Sequence, residues 1–263
     1  MKRIAIFISC LAAGIVVFVA SCKKDSSDPN SPTMKLAPAT ISGKSGQQAQ
    51  ANLDIVAPNG VSKLIITKTI NLVPDTAFGT ISVTPESTGD NAYHYTFVYT
   101  YQPEEVDKLV GINFHLEDSK GNVAEKDLTV NTIASGAQII YSHDWKLISK
   151  FWETADPPAE NIQDCEKDNI YSYNSDGTIP TPNYGANGCL FDGFNIFDRW
   201  SLSDDEKIFT QTYHSAFDTT KVTTEVYNVR SLTSSQWVMD ITVDLTAFGL
   251  SDHEKFIYTY QSQ

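Results

Sequence analysis

The segment from 110 to 117 sets what kind of fold this chain can adopt. Val110, Ile112, Phe114 and Leu116 alternate with Gly111, Asn113, His115 and Glu117. A period of two places every second side chain on one face, so the run is a strand with a core side and a water side. The turn-forming stretch Asp118-Ser119-Lys120-Gly121-Asn122 follows, and a second strand pattern returns over 123–132, which predicts an antiparallel hairpin. Runs at 51–57, 63–70 and 93–101 have the same character, and a helical period is almost absent. Short strands at this spacing predict an antiparallel β-sandwich over 38–134. Tyr93, Tyr95, Phe97, Tyr99 and Tyr101 share one strand face. Such a row can stack on sugar rings. Because the opposite face, with His94, Thr96 and Thr100, is the more water-compatible one, the aromatic row is read as core.

The composition shifts at Ala134-Ser135-Gly136, and all four tryptophans lie beyond it. Candidate strands follow from Trp145 and over 169–174, 199–202, 207–213, 223–230, 235–244 and 254–261. In the cleanest of them Trp237, Met239, Ile241 and Val243 point one way, and Asp240, Thr242 and Asp244 the other. A β-meander with inward aromatics predicts a small antiparallel β-barrel over 138–263. Trp237, Met239, Phe256, Tyr258 and Tyr260 are its candidate ligand-binding residues, with a filled interior as the competing arrangement. The Gly- and Pro-rich stretch 179–198 adds Tyr184, Phe191 and Phe194 as a candidate recognition flap over one mouth, the alternative being an inert cap.

Four cysteines occur. Cys10 lies in a leader, Cys22 closes it, and Cys165 and Cys189 remain for the folded part, where an exported chain pairs them as a disulfide. Lys2 and Arg3 precede an uncharged apolar run ending in Val19-Ala20-Ser21-Cys22, the layout of a secretory signal over 1–21. The tetrapeptide resembles a bacterial lipoprotein lipobox, which implies lipidation of Cys22 and attachment to the outer membrane, on its periplasmic face or at the cell surface. Residues 22–37 then read as a flexible tether. The strand–turn–strand unit around Asp118 resembles Ig-like or fibronectin-type modules of surface proteins. Trp145-x-Leu147, Asp164-Cys165-x-x-Asp168-Asn169, Tyr173-x-x-Asp176-Gly177-Thr178, Cys189, Trp200-Ser201-Leu202 and Tyr227-x-Val229-x-x-Leu232-Thr233 follow in order. Together they resemble the lipocalin-like domain that ends many Bacteroidota lipoproteins. That resemblance implies that Trp145 plugs the closed end of the barrel.

The formal net charge is −13, and removal of Lys2 and Arg3 with the leader takes it to −15. So acidic a chain repels phosphate backbones, which excludes nucleic acid as a natural partner. There is no H-E-x-x-H, G-x-S-x-G or P-loop sequence, so the chain is read as non-catalytic, with no cofactor and no metal. The expectation is an all-β, lipid-anchored envelope protein whose barrel holds a small apolar or glycan-derived ligand. The alternative is a structural protein with a filled barrel that contacts another envelope component.

Overall fold

The computed structural model describes residues 30–263. The leader, Cys22 and the first part of the expected tether lie outside the described residues. The chain is all-β, as the alternation predicts. Its first ten strands are β1 (Thr33–Ala37), β2 (Thr40–Lys44), β3 (Gln48–Val56), β4 (Val61–Ile70), β5 (Val73–Pro74), β6 (Thr80–Val83), β7 (Glu86–Gly89), β8 (Ala92–Thr100), β9 (Val110–Asp118) and β10 (Val123–Ile133). They make two sheets, ordered β1-β3-β8-β7 and β2-β10-β9-β4-β5, with β6 on the side of β4. One apolar cluster lies between them. The expected hairpin is β9–β10, in register from Val123 opposite Glu117 to Val130 opposite Val110.

One sequence expectation is corrected here and another holds. The tether does not extend to 37, because Thr33–Ala37 pairs with β3 and buries Met34. Five residues with two apolar positions are too short a run to separate from a polar linker by pattern. The aromatic row of β8 is core, as expected: Phe97, Tyr99 and Tyr101 are buried, and Phe97 meets Phe114 edge-on at 5.3 Å.

The core of this sandwich also encloses charge. Lys68 on β4 and Glu105 after β8 are paired and buried, with Asp75 3.1 Å from the Lys68 ammonium. The Tyr99 hydroxyl donates to Glu105 at 2.6 Å. The two partners come from opposite sheets or their connections, so the pair pins one sheet to the other. Burial would lower the Lys68 pKa, but the Glu105 and Asp75 carboxylates overcome that and raise it.

After a one-and-a-half-turn helix α1 (Gly136–Tyr141), capped by the Ser135 hydroxyl, come β11 (Trp145–Trp152), β12 (Ala159–Glu160), β13 (Ile170–Tyr171), β14 (Asn195–Leu202), β15 (Ile208–Ser215), β16 (Asp218–Leu232), β17 (Gln236–Val243) and β18 (Glu254–Ser262). They form one sheet, β12-β11-β18-β17-β16-β15-β14, with β13 also on β11. This sheet is not closed into a barrel, which corrects the closed meander expected from sequence. The strand expected over 169–174 shortens to Ile170–Tyr171, so the seam between β11 and β14 has no continuous ladder. The segment 170–179 spans it by separate contacts. Ile170 and Tyr171 pair with Lys146 and Trp145, the Trp200 amide donates to the Gly177 carbonyl at 2.8 Å, and the Ile179 amide to Asp198 at 3.2 Å.

Glu206, in the β14–β15 turn, joins the two halves. It accepts from the Gly136 amide at 2.8 Å and holds the Lys44 ammonium at 2.6 Å. Gln138 on α1 completes the contact, accepting from the Ser45 hydroxyl at 2.6 Å and donating to the Pro103 carbonyl at 3.0 Å.

Replacing Glu105 by Ala leaves the Lys68 ammonium buried beside Asp75 alone. The expected loss of unfolding free energy is about 3–5 kcal/mol, read by urea denaturation. A loss under about 1 kcal/mol would show that water reaches the site and that the pair does not clamp the sheets.

A tyrosine-lined mouth above an aromatic floor

The inward face of the eight-stranded sheet of the second half has two layers of different chemistry. At the end next to α1, rings fill the interior. Trp237 meets Phe209 at 4.8 Å, Trp145 at 5.6 Å and Tyr173 at 5.7 Å, all edge-on, and Tyr260 tilts against it at 5.5 Å. Edge-to-face contacts of this kind suit the ring quadrupoles and leave little space between them. The Trp145 indole donates to the Ile140 carbonyl at 2.8 Å, which ties the floor to α1. Trp145 thus sits in the floor.

Toward the other end the inward positions turn polar. Strand pairing sets Gln211 opposite Glu225 and Lys150 opposite Tyr258. Glu225 gathers three donors: the Tyr227 hydroxyl at 2.6 Å, the Gln211 amide at 2.8 Å and the Tyr213 hydroxyl at 3.2 Å. Tyr258 meets the Tyr227 ring edge-on at 5.8 Å. The Lys150 ammonium stands 6.0 Å over the Tyr258 ring and 3.0 Å from Glu166. Lys150, Tyr171, Tyr213, Glu225 and Tyr258 are half-buried, so water reaches this layer while the floor is shut. At the rim Phe256 stacks on Trp152 at 5.5 Å, whose indole donates to Glu254 at 2.7 Å.

Burial raises the pKa values of these tyrosines, and nearby carboxylates add to the rise. Tyr213 is pushed up to about 12 by burial and then by Glu225. Tyr171 is also pushed up to about 12, by burial, with Glu166 adding to the rise. Tyr227, Tyr258 and Tyr260 rise further for the same reasons. At neutral pH the layer therefore presents phenol donors beside carboxylate acceptors.

The expected site residues are scattered. Trp237, Met239 and Tyr260 point inward and are buried in or just above the floor, while Phe256 is buried at the rim against Trp152. Tyr258 faces the open layer. Phe191 and Phe194 lie outside it, 69% and 40% exposed, where Phe194 meets Phe191 at 5.5 Å and Phe217 of the β15–β16 turn at 5.1 Å. Tyr184 is half-buried and turns back to accept from the Gly193 amide. The disulfide Cys165–Cys189 is present, with the Cα atoms 5.2 Å apart, and pins this loop. Lys150, Gln211, Tyr213, Glu225 and Tyr227 were missed. For Gln211, Tyr213, Glu225 and Tyr227 the signal was polarity at inward-parity positions: Gln211 and Tyr213 continue the face of Phe209, and Glu225 that of Tyr227, whereas Lys150 is out of parity with Trp145 and Leu147 and is turned inward by the irregularity between Leu147 and Ser149.

No protein-family model and no curated protein matches the chain. Among solved structures it is similar to a DUF4466 family protein from Parabacteroides merdae at 12% identity, over 88% of this chain and 98% of that one, with a TM-score of 0.30. It is also similar to the sporulation control protein Spo0M of Bacillus subtilis, at 10% identity over 89% and 91% of the two chains and a TM-score of 0.30. A CARDB domain from Pyrococcus furiosus, solved in complex with di-metal ions, aligns with 39% of this chain and 92% of its own at 18% identity, with a TM-score of 0.22.

Raised tyrosine pKa values make stability pH-dependent at the alkaline end. The folded values exceed the ordinary value near 10, so this contribution is whole below about pH 10 and is lost between about 10 and 12 as the unfolded chain ionises first. In an absorbance titration, Glu225→Gln is expected to bring part of the tyrosinate signal to lower pH, because a repelling charge has gone. An unchanged curve would show that Glu225 does not act on these phenols.

Proposed function

We propose that this is a lipid-anchored, non-catalytic envelope protein that binds a small, hydroxyl-rich, glycan-derived ligand at the open end of its eight-stranded sheet. The reading rests on one observation above all: the half-buried layer over the filled floor is made of tyrosines with Glu225, Gln211 and Lys150. An apolar ligand would find few aliphatic side chains there and would strip water from a lysine and two carboxylates. A sugar complements this layer: its hydroxyls both donate to the carboxylates and accept from the phenols and Lys150, and its C–H face packs on a ring. The floor of Trp145, Trp237 and Phe209 limits depth, so the ligand is shallow and small.

The lipocalin-like and Ig-like kinships belong to the same proposal, as does the outer-membrane address. Their support is the ordered set of sequence matches and the Val19-Ala20-Ser21-Cys22 tetrapeptide. The structural reading, in which the molecule only contacts another envelope component, draws support from the exposed ring cluster Phe191, Phe194 and Phe217.

Calorimetric titration with a panel of mono- and disaccharides tests the site. At least one is expected to bind, and Tyr258→Ala or Glu225→Gln to weaken it about tenfold, a loss of about 1.4 kcal/mol. Binding that both variants leave unchanged would remove the mouth as the site. The anchor is tested by growth with labelled palmitate: the label is expected in the wild-type chain and absent from Cys22→Ser, and a labelled variant would overturn it.

A further inference from the structure

Strand β16 outruns its neighbour. Its pairing with β17 runs from Leu232 opposite Trp237 to Asn228 opposite Asp240 and ends there, although β16 continues to Asp218 and β17 to Val243. The last pair is fastened: Asp240 accepts from the Arg230 Nε at 2.6 Å and the Asn228 amide at 3.1 Å. Beyond it the two strands part around a cleft of about 440 Å³. On its other side β16 stays in register with β15 from Asn228 to Val222. A bulge then disorders the pairing over 219–221 before Asp218 meets Ser215.

The main-chain groups along this cleft can be assigned. The Val229 amide donates toward β15, to the Lys207 carbonyl at 2.8 Å. Since successive residues of a strand turn their N–H and C=O to alternate sides, Val222, Thr224 and Val226 turn theirs into the cleft. From the opposite wall, Thr242 does the same, two residues beyond the paired Asp240. The regular edge from Val222 to Tyr227 carries no proline and no lysine, which are the usual guards of an open edge. Val222 and Val226 are 61% and 51% exposed.

We propose that this cleft receives an extended segment of a partner polypeptide, added as a strand between β16 and β17. The facing edges run antiparallel, so an inserted strand pairs in parallel with one and antiparallel with the other, and satisfies both rows of main-chain groups. The charged lining residues are Glu225 and Asp244, with no cation among the residues that line the cleft. Glu225 stands on the inward face and Asp244 on the outward one, so the inserted segment carries its Lys or Arg on the inward face, where it meets Glu225. β-Branched residues suit the alternate positions, beside Val222 and Val226. This mode of recognition draws affinity from the backbone and selectivity from alternate side chains.

The probe is a labelled, end-blocked peptide Thr-Val-Lys-Val-Lys-Val-Thr, followed by fluorescence anisotropy with the full chain. Saturable binding is expected, weakened about tenfold or more when the valine amides are N-methylated and likewise when Glu replaces both Lys. Thr242→Pro removes an edge N–H and is expected to weaken it similarly. Tyr258→Ala, which tests the sugar site, is expected to leave it unchanged, so the two sites fail or stand separately. No saturable binding, or equal binding of the N-methylated twin, overturns the proposal. Self-association of the chain that the peptide does not displace also overturns it, because the edge would then belong to a second copy.

Discussion

The packing of rings around Trp237 is the constraint that the second half of the molecule obeys. Strongly coiled sheets of this size enclose a volume that side chains either fill or leave to a ligand. Here Trp145, Phe209, Tyr173 and Tyr260 converge on one indole, and that end is closed. The same packing accounts for a sheet that need not close by hydrogen bonds. Tyr173, on the segment spanning the seam, meets Phe209, Trp200 and Trp237, so apolar contact holds the seam where a ladder is missing. The space left open to water lies at the other end, and its polarity follows from what does not have to be packed.

The split between floor and mouth explains how far the sequence could be read. Parity was enough to place Trp237, Met239 and Ile241 on one face, and the structure keeps them there. Parity says nothing about height along the sheet, which depends on the stagger of neighbouring strands. Trp237 and Tyr258 therefore looked equivalent in sequence, yet the first is enclosed and the second half-buried. Glu225 was invisible for a related reason. A carboxylate at an inward position reads as a surface residue until its neighbours Gln211, Tyr213 and Tyr227 are known to face it. The extended loop behaved likewise. Its glycines, prolines and cysteine announced a pinned excursion, but whether Phe191 and Phe194 faced the mouth or the solvent rested on contacts with Phe217, far away in sequence.

Short elements were the other blind spot. β1 and the two-residue strands β5 and β12 carry too few residues for a period to show. Helix α1 is also short, and only its Ser135 cap marks it. Long-range pairing makes these segments regular. The buried Lys68–Glu105 pair had no local signature, since nothing adjacent to Lys68 foretells a carboxylate that arrives from beyond β8.

The contact at Glu206 has a consequence for reach. It joins the β14–β15 turn to the end of the first sandwich that carries Lys44, Ser45 and Pro103. The chain enters that sandwich at its other end, where Asn59 donates to the Asn30 carbonyl at 3.0 Å and β1 starts opposite Val56. The mouth, with Trp152, Glu254 and the β15–β16 turn, is likewise at the end of its sheet away from Glu206. The two halves thus meet tail to head, so the start of the described chain and the mouth both lie at the ends turned away from the contact, and what happens at one end reaches the other only through the Glu206 joint.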